Sequence, residues 1–206
     1  MAGPQACPDG WEALSSTSAL LDQRGDRPTS VASVVMGDRW GVSKDETRLP
    51  YACDDFVERP GLEAWRGVTV HADPETVWAR VRQVRIAPYS YDLIDNLGRR
   101  SPRELRDVPE PVVGTPFTRA FGLDQGRVVA VQPGRQLTAR IMGAHMSYVV
   151  VPAGTRTRLL LKVVATSPRW MAGAVSLGDL VMARKQLLNL KALAESDQSD
   201  QSGRRA

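Results

Sequence analysis

From Thr115 to Ser167 apolar and polar residues alternate with a period of two, in five segments: Pro116 to Gly122, Arg127 to Gln132, Gln136 to Met142, Met146 to Pro152 and Arg156 to Ser167. Such alternation marks strands with one buried face. The joints, Asp124-Gln125-Gly126, Pro133-Gly134, Gly143-Ala144 and Ala153-Gly154, are short and made of turn-forming residues. A parallel neighbour needs a crossover on the order of a dozen residues, so these joints leave only antiparallel pairing, hence a meander. In the last segment Leu159, Leu161, Val163 and Ala165 share one face. Arg158, Leu160, Lys162 and Val164 make the other only half polar.

Upstream, Trp65 to Val70 reads as a further half-buried strand. Asp73-Pro74-Glu75 starts a helix: Asp caps the orphan backbone donors, Pro at the first position has no donor to lose, and Glu suits the positive end of the dipole. Val77, Trp78, Val81 and Val84 follow at helical spacing, and Pro88 bars a smooth continuation. Residues 88–96 read as a second short helix or turn, left through Leu97-Gly98 and stopped by Pro102. Trp170 to Glu195 reads as a long helix whose apolar set is Leu177, Leu180, Val181, Leu187, Leu188 and Leu190. At about 100° per residue, Arg184 falls in the middle of that face and Lys191 near it.

Composition sets the boundaries. In 206 residues, 42% hydrophobic and 24% charged, one domain with a real core is expected. Residues 1–36 are rich in Ser, Thr, Asp, Gly and Pro and are expected to be disordered, as is the polar tail 196–206. Met36 is a candidate alternative start of translation. Residues 37–61 are expected to form an arm packed on the domain and fastened by Trp40, Tyr51 and Phe56, with the domain itself spanning 62–195. No apolar run approaches the roughly 20 residues that span a bilayer. The start has no basic segment followed by an apolar one, so a cytoplasmic location is expected. The two cysteines, Cys7 and Cys53, fit a reducing compartment, and Cys53 beside Asp54-Asp55 is expected to be a structural thiol. A net charge of +4 is spread along the chain without interleaved aromatics, which argues against nucleic acid.

The order strand, helix, short helix, antiparallel meander, long terminal helix resembles the helix-grip fold, an α+β architecture in which a curved antiparallel sheet wraps a C-terminal helix. The chain resembles the SRPBCC superfamily: START domains, birch-pollen-allergen-like proteins and the polyketide cyclase/dehydrase group. The likeness is carried by Trp65-Arg66-Gly67-Val68 with Asp73-Pro74-Glu75-Thr76-Val77-Trp78, by Val113-Gly114-Thr115, by Val131-Gln132-Pro133-Gly134-Arg135-Gln136-Leu137, and by the helix after Trp170. Residues 87–102 are similar to a signature of an actinobacterial-type subgroup that brings no catalytic assignment. The Cys and His clusters that Rieske oxygenases of the superfamily need are absent.

What the resemblance implies is an apolar or aromatic ligand, lipid-like or polyketide-like, in a cavity between sheet and terminal helix. Small residues at interior positions, among them Ala139, Ala144 and Ala165, favour hollow space over a solid core. Arg184 either lays its stem on apolar surface with the guanidinium in water or points inward to hold a carboxylate or phenolate. Arg140, Tyr89, Tyr91, Asn96, Arg99 and Trp170 complete the candidate ligand-binding set. The alternative is an aromatase/cyclase or dehydratase in which Asp95 or His145 moves protons. A third reading is a partner-binding module with a filled interior and an exposed apolar patch. No cofactor or metal motif is present.

Overall fold

The computed structural model describes residues 39–89, 101–120, 122–166 and 169–205, the backbone alone over 169–181 and 204–205. The elements are β1 (Arg39–Trp40), 3-10 turns at Glu46–Arg48 and Ala52–Phe56, β2 (Leu62–Val70), α1 (Pro74–Arg82) with a 3-10 extension at Gln83–Arg85, and β3 (Pro116–Ala120). Then follow β4 (Leu123–Gln132), β5 (Gln136–Ile141), β6 (Ala144–Ala153), β7 (Arg156–Ala165) and α2 (Arg169–Arg205). The strands form one sheet in the order β1-β2-β7-β6-β5-β4-β3, parallel only between β1 and β2. The sheet is curved and unclosed, and with its long terminal helix it is an α+β helix-grip fold. A register shift between Val128 and Ala130 bends β4 against β5, as a bulge does.

The period of two assigns the faces. Val68 and Val70 of β2, Leu159, Leu161 and Val163 of β7, Tyr148 and Val150 of β6 and Leu137 and Ala139 of β5 join one core with Val77, Trp78, Val81 and Val84 of α1 and Leu187, Leu190 and Ala194 of α2. The start of α1 is local chemistry: Asp73 accepts from the Thr76 backbone at 2.7 Å and the Thr76 hydroxyl at 3.1 Å.

The half-polar face of β7 is also covered, by residues 39–60. Arg158 donates to both carboxylate oxygens of Glu46, at 2.6 and 3.0 Å, to the Gly41 carbonyl at 2.6 Å and to the Thr69 hydroxyl at 2.8 Å. Glu46 is held in turn by Ser43, whose backbone donates to it at 2.7 Å while the Ser43 hydroxyl accepts from the Glu46 backbone at 3.2 Å, a reciprocal cap. Lys162, 4% exposed, pairs with Asp54 at 2.6 Å and Glu63 at 3.2 Å and lies 4.7 Å above the Trp65 ring. Two glycines permit this approach. A side chain on Gly67 would meet Val42, Leu160 and Arg158 within 3.0 Å, and Gly41, at φ +66, sits against the Gly67 carbonyl.

One expectation is overturned by the helix end. The stretch 196–206, read as a disordered tail from its polar composition, continues α2 to Arg205. Its polar residues have partners that composition does not reveal. Arg80, 1% exposed, donates from Nε and Nη2 to Asp197 at 2.5 and 2.6 Å, from Nη1 to Gln83 at 2.7 Å and from Nη2 to the Arg103 carbonyl at 2.9 Å. Gln198 accepts from the Asp73 backbone at 3.1 Å, and Glu195 from the His71 backbone at 2.8 Å.

Asp197→Ala leaves the Arg80 charge buried without its carboxylate, a change that costs about 3–5 kcal/mol. A fall of that size in urea-unfolding stability is expected, and a stop codon after Glu195 should match it; a tail without a structural role predicts no change in either. Burial raises the Glu46 carboxyl, but the hydrogen bonds from Arg158 and Ser43 and the Arg158 charge outweigh it, and the group lies below its ordinary 4.5. The folded state therefore binds this proton less readily than the unfolded one. Its contribution is present above the ordinary value and is lost as pH falls from there through the lower folded value. Urea midpoints measured from pH 7 to pH 3 should fall less steeply in Glu46→Gln than in the native chain.

Candidate functional site

Between the concave face of the sheet and α2 lies a cavity of about 320 Å³. Its walls come from the segment after α1 (Val84, Pro88), from β3 (Phe117, Thr118, Ala120), from β5 to β7 (Ile141, Met146, Tyr148, Leu161) and from α2 (Met182, Ala183, Gln186). Ala183 and Ala120 leave space where larger residues would close it. Met142, 96% exposed at the β5–β6 turn, and Met182 stand at the rim, both on the lining and exposed to solvent.

The polar side chains of this lining are Thr118, Gln125, Tyr148 and Gln186. Gln186 accepts the Tyr148 hydroxyl at 2.5 Å and donates its amide to the Pro88 carbonyl at 2.5 Å, linking sheet, helix and the segment after α1. Thr118 donates to the Val84 carbonyl at 2.6 Å. Asn189, one helical turn on, donates to the Tyr89 carbonyl at 2.9 Å. An apolar chamber with a phenol on the sheet and an amide on the helix, joined to each other, suits an apolar guest carrying one or two polar atoms.

The candidate residues fall in several places. Arg184 is exposed, its guanidinium 4.7 Å from the centre of the Trp40 ring, and it is not on the cavity wall. The inward stripe of the described part of α2 is Ala183, Gln186, Leu187, Leu190 and Ala194. Leu188, counted as apolar in reading the sequence, is 38% exposed and pulls the inferred face towards residue 184. Gln186 and Tyr148 are what that reading missed; a lone amide inside an apolar stripe at spacings of three and four is the signal that points to Gln186. Arg140 is exposed and faces away from the cavity, since Leu137 and Ala139 take the inner positions of β5. His145 shares that outer side: it pairs with Arg140 across the strands and stacks on Phe56 with ring centres 5.2 Å apart. Burial, then the Arg140 charge, hold its imidazole below the usual 6.5. A proton carrier on the ligand face is therefore not what His145 supplies. Tyr89 is buried, in the left-handed region at φ 55, with its hydroxyl on the Pro102 carbonyl at 2.9 Å. Tyr91, Asp95, Asn96 and Arg99 lie outside the described residues, as does the Trp170 side chain. Among the described residues no group of three or more His, Cys, Asp or Glu is placed to hold a metal.

Cys53 is fully buried under the outer face, where its backbone N–H donates to the Ser147 hydroxyl at 3.0 Å. Burial is the main cause that pushes its thiol up to about 12, against the opposing pull of Ser147 and Lys162. Thiolate is the reactive form, so this side chain is inert in the folded state. Iodoacetamide at pH 8, followed by peptide mass spectrometry, should leave Cys53 unmodified in buffer and modify it fully in denaturant. Rapid native labelling contradicts the assigned burial.

No family model and no curated protein matches the chain. Among solved structures, a protein from Rhodobacter sphaeroides is 16% identical, with 66% of this chain and 93% of that one covered and a TM-score of 0.46. A Polyketide_cyc-like protein from Corynebacterium glutamicum is 14% identical over 68% and 95%, with a TM-score of 0.42. An AHSA1-like protein from Rhizobium etli is 12% identical over 65% and 82%, with a TM-score of 0.40. Polyketide cyclase-like and AHSA1-like proteins belong to the SRPBCC superfamily. At such identities the fold stands on strand order and helix placement themselves, and nothing of the neighbours' activities transfers.

Proposed function

We propose that the protein is a cytoplasmic binding protein for an apolar or aromatic small molecule, lipid-like or polyketide-like, held between the sheet and α2. The observation that carries this reading is the cavity of about 320 Å³, apolar on most of its wall and provided with the Tyr148–Gln186 pair. Apolar surface left facing such a chamber is stabilised by a guest that displaces water from it, and the amide and phenol select guests with a matching oxygen. Exposed Met142 and Met182 give an apolar guest a path from the surface to the chamber. Free Cys53 suits a reducing compartment. No helix among the described residues is long and apolar enough to cross a membrane.

The test is a titration with the neutral fluorophore N-phenyl-1-naphthylamine, together with native mass spectrometry of freshly purified protein. Ala183→Phe fills the chamber and should weaken probe binding at least about tenfold, the order of cost of overpacking a site. Absence of both a bound molecule and probe fluorescence in the native chain, or probe binding unaffected by Ala183→Phe, contradicts the proposal. The acid/base alternative draws nothing from His145, which faces the other side of the sheet.

A further inference from the structure

On the same concave face, under the proline-rich loop before β3, lies a second chamber of about 270 Å³. Its floor is Val128 and Leu137, apolar and buried, and Leu137 stands opposite Tyr148 of the first chamber in the β5–β6 register. The segment that ends α1 serves both chambers, with Val84 on the first wall and Arg82 and Arg85 on the second. Those two cations are matched: Arg82 lies 3.2 Å from Glu110 and Arg85 lies 3.3 Å from Asp124. What the second chamber offers a guest is therefore its apolar floor.

Among the described residues Phe117 is the one common to the two linings. It is 4% exposed, and its ring leans on that of Tyr148 with centres 6.1 Å apart. The strand beside it is fixed by Thr118, bound to the Val84 carbonyl at 2.6 Å. Two hollows side by side on one sheet face, with a single buried ring in the walls of both, are one trough with a partition. We propose that Phe117 is the specificity-determining residue of the binding site, stopping a guest at the first chamber and so selecting a compact molecule over a long-chain one. This rests on the first chamber being the binding site. Its volume of about 320 Å³ is near the lower end of what small-molecule sites enclose, roughly 300–1,000 Å³. An alkyl chain gains about fourfold in affinity for each methylene it buries, and only while there is hollow to receive it. Beyond the partition, further methylenes stay in water and add nothing. Truncating Phe117 adds the second chamber to the first.

The experiment is displacement of N-phenyl-1-naphthylamine from the full chain by primary alcohols from hexanol to tetradecanol. In the native chain affinity should rise about fourfold per methylene and then level off. In Phe117→Ala, shown to be folded by circular dichroism, the rise should start alike and continue for about three further methylenes, a gain of about sixtyfold for the longest alcohols. Val112, on the second lining and 60% exposed, gives access to that chamber from its solvent side. Val112→Trp added to Phe117→Ala should fill the chamber and return the levelling point to its native place. A rise without levelling in the native chain, the same levelling point in both chains, or an extension that Val112→Trp leaves intact overturns the proposal. Should Phe117→Ala fail to fold, Phe117→Val, whose branched side chain suits a strand, decides by the same reading: a levelling point that does not move overturns it. Absence of displaceable probe from native chain and variant alike defeats the first-chamber reading and this one with it, whereas binding with an unmoved limit defeats this one alone.

Discussion

Around β7 the sheet is buried on both faces, and the rest of the structure depends on that. The inner face meets α1 and α2 through Leu159, Leu161 and Val163. The outer face carries Arg158 and Lys162, which would be ordinary surface cations if nothing lay over them. Residues 39–60 do lie over them, and a cation taken out of water is tolerated only with charge partners and hydrogen bonds in place. Glu46 and Asp54 come from the covering segment, and Glu63 from β2. The arm is therefore part of the electrostatic balance of the sheet, and the Trp65 and Tyr51 rings beside Lys162 complete it.

The hollow part of the molecule follows from where the terminal helix is fastened. The C-terminal stretch of α2 is tied to the turn before α1 and to α1 itself through Glu195, Asp197 and Gln198, and Lys191 reaches the Thr69 carbonyl at 2.8 Å. The cavity opens further towards the N-terminus of the helix, at Met182, Ala183 and Gln186, where the polar ties are the two hydrogen bonds of Gln186. Rigid support at one end lets the other end stand off the sheet without loss of the fold, the usual relation between a fixed scaffold and a binding site.

Much of the architecture was legible because its signals are local. The meander follows from alternation and short joints, and the start of α1 from Asp73-Pro74-Glu75, whose cap depends on residues three apart. Misreadings arose where a partner lies far off in sequence. Asp197 looked like part of a polar tail because composition cannot show Arg80, 117 positions away. Arg184 fell in the middle of the inferred apolar face, with its direction open between water and cavity, because Leu188, which is exposed, carried the same weight as the buried leucines. His145 and Arg140 were placed with the ligand without knowing which side of their strands would be concave.

By itself, then, the sequence determined the antiparallel pairing of the meander, the start of α1 and the presence of a long closing helix, since periodicity, turn chemistry and capping act over a few residues. Which face of the sheet is hollow, which helical residue looks into it and which buried charges find partners were decided only by tertiary structure. Those outcomes depend on curvature and on contacts between residues as distant as Glu46 and Arg158, 112 positions apart, and no short-range pattern carries that information.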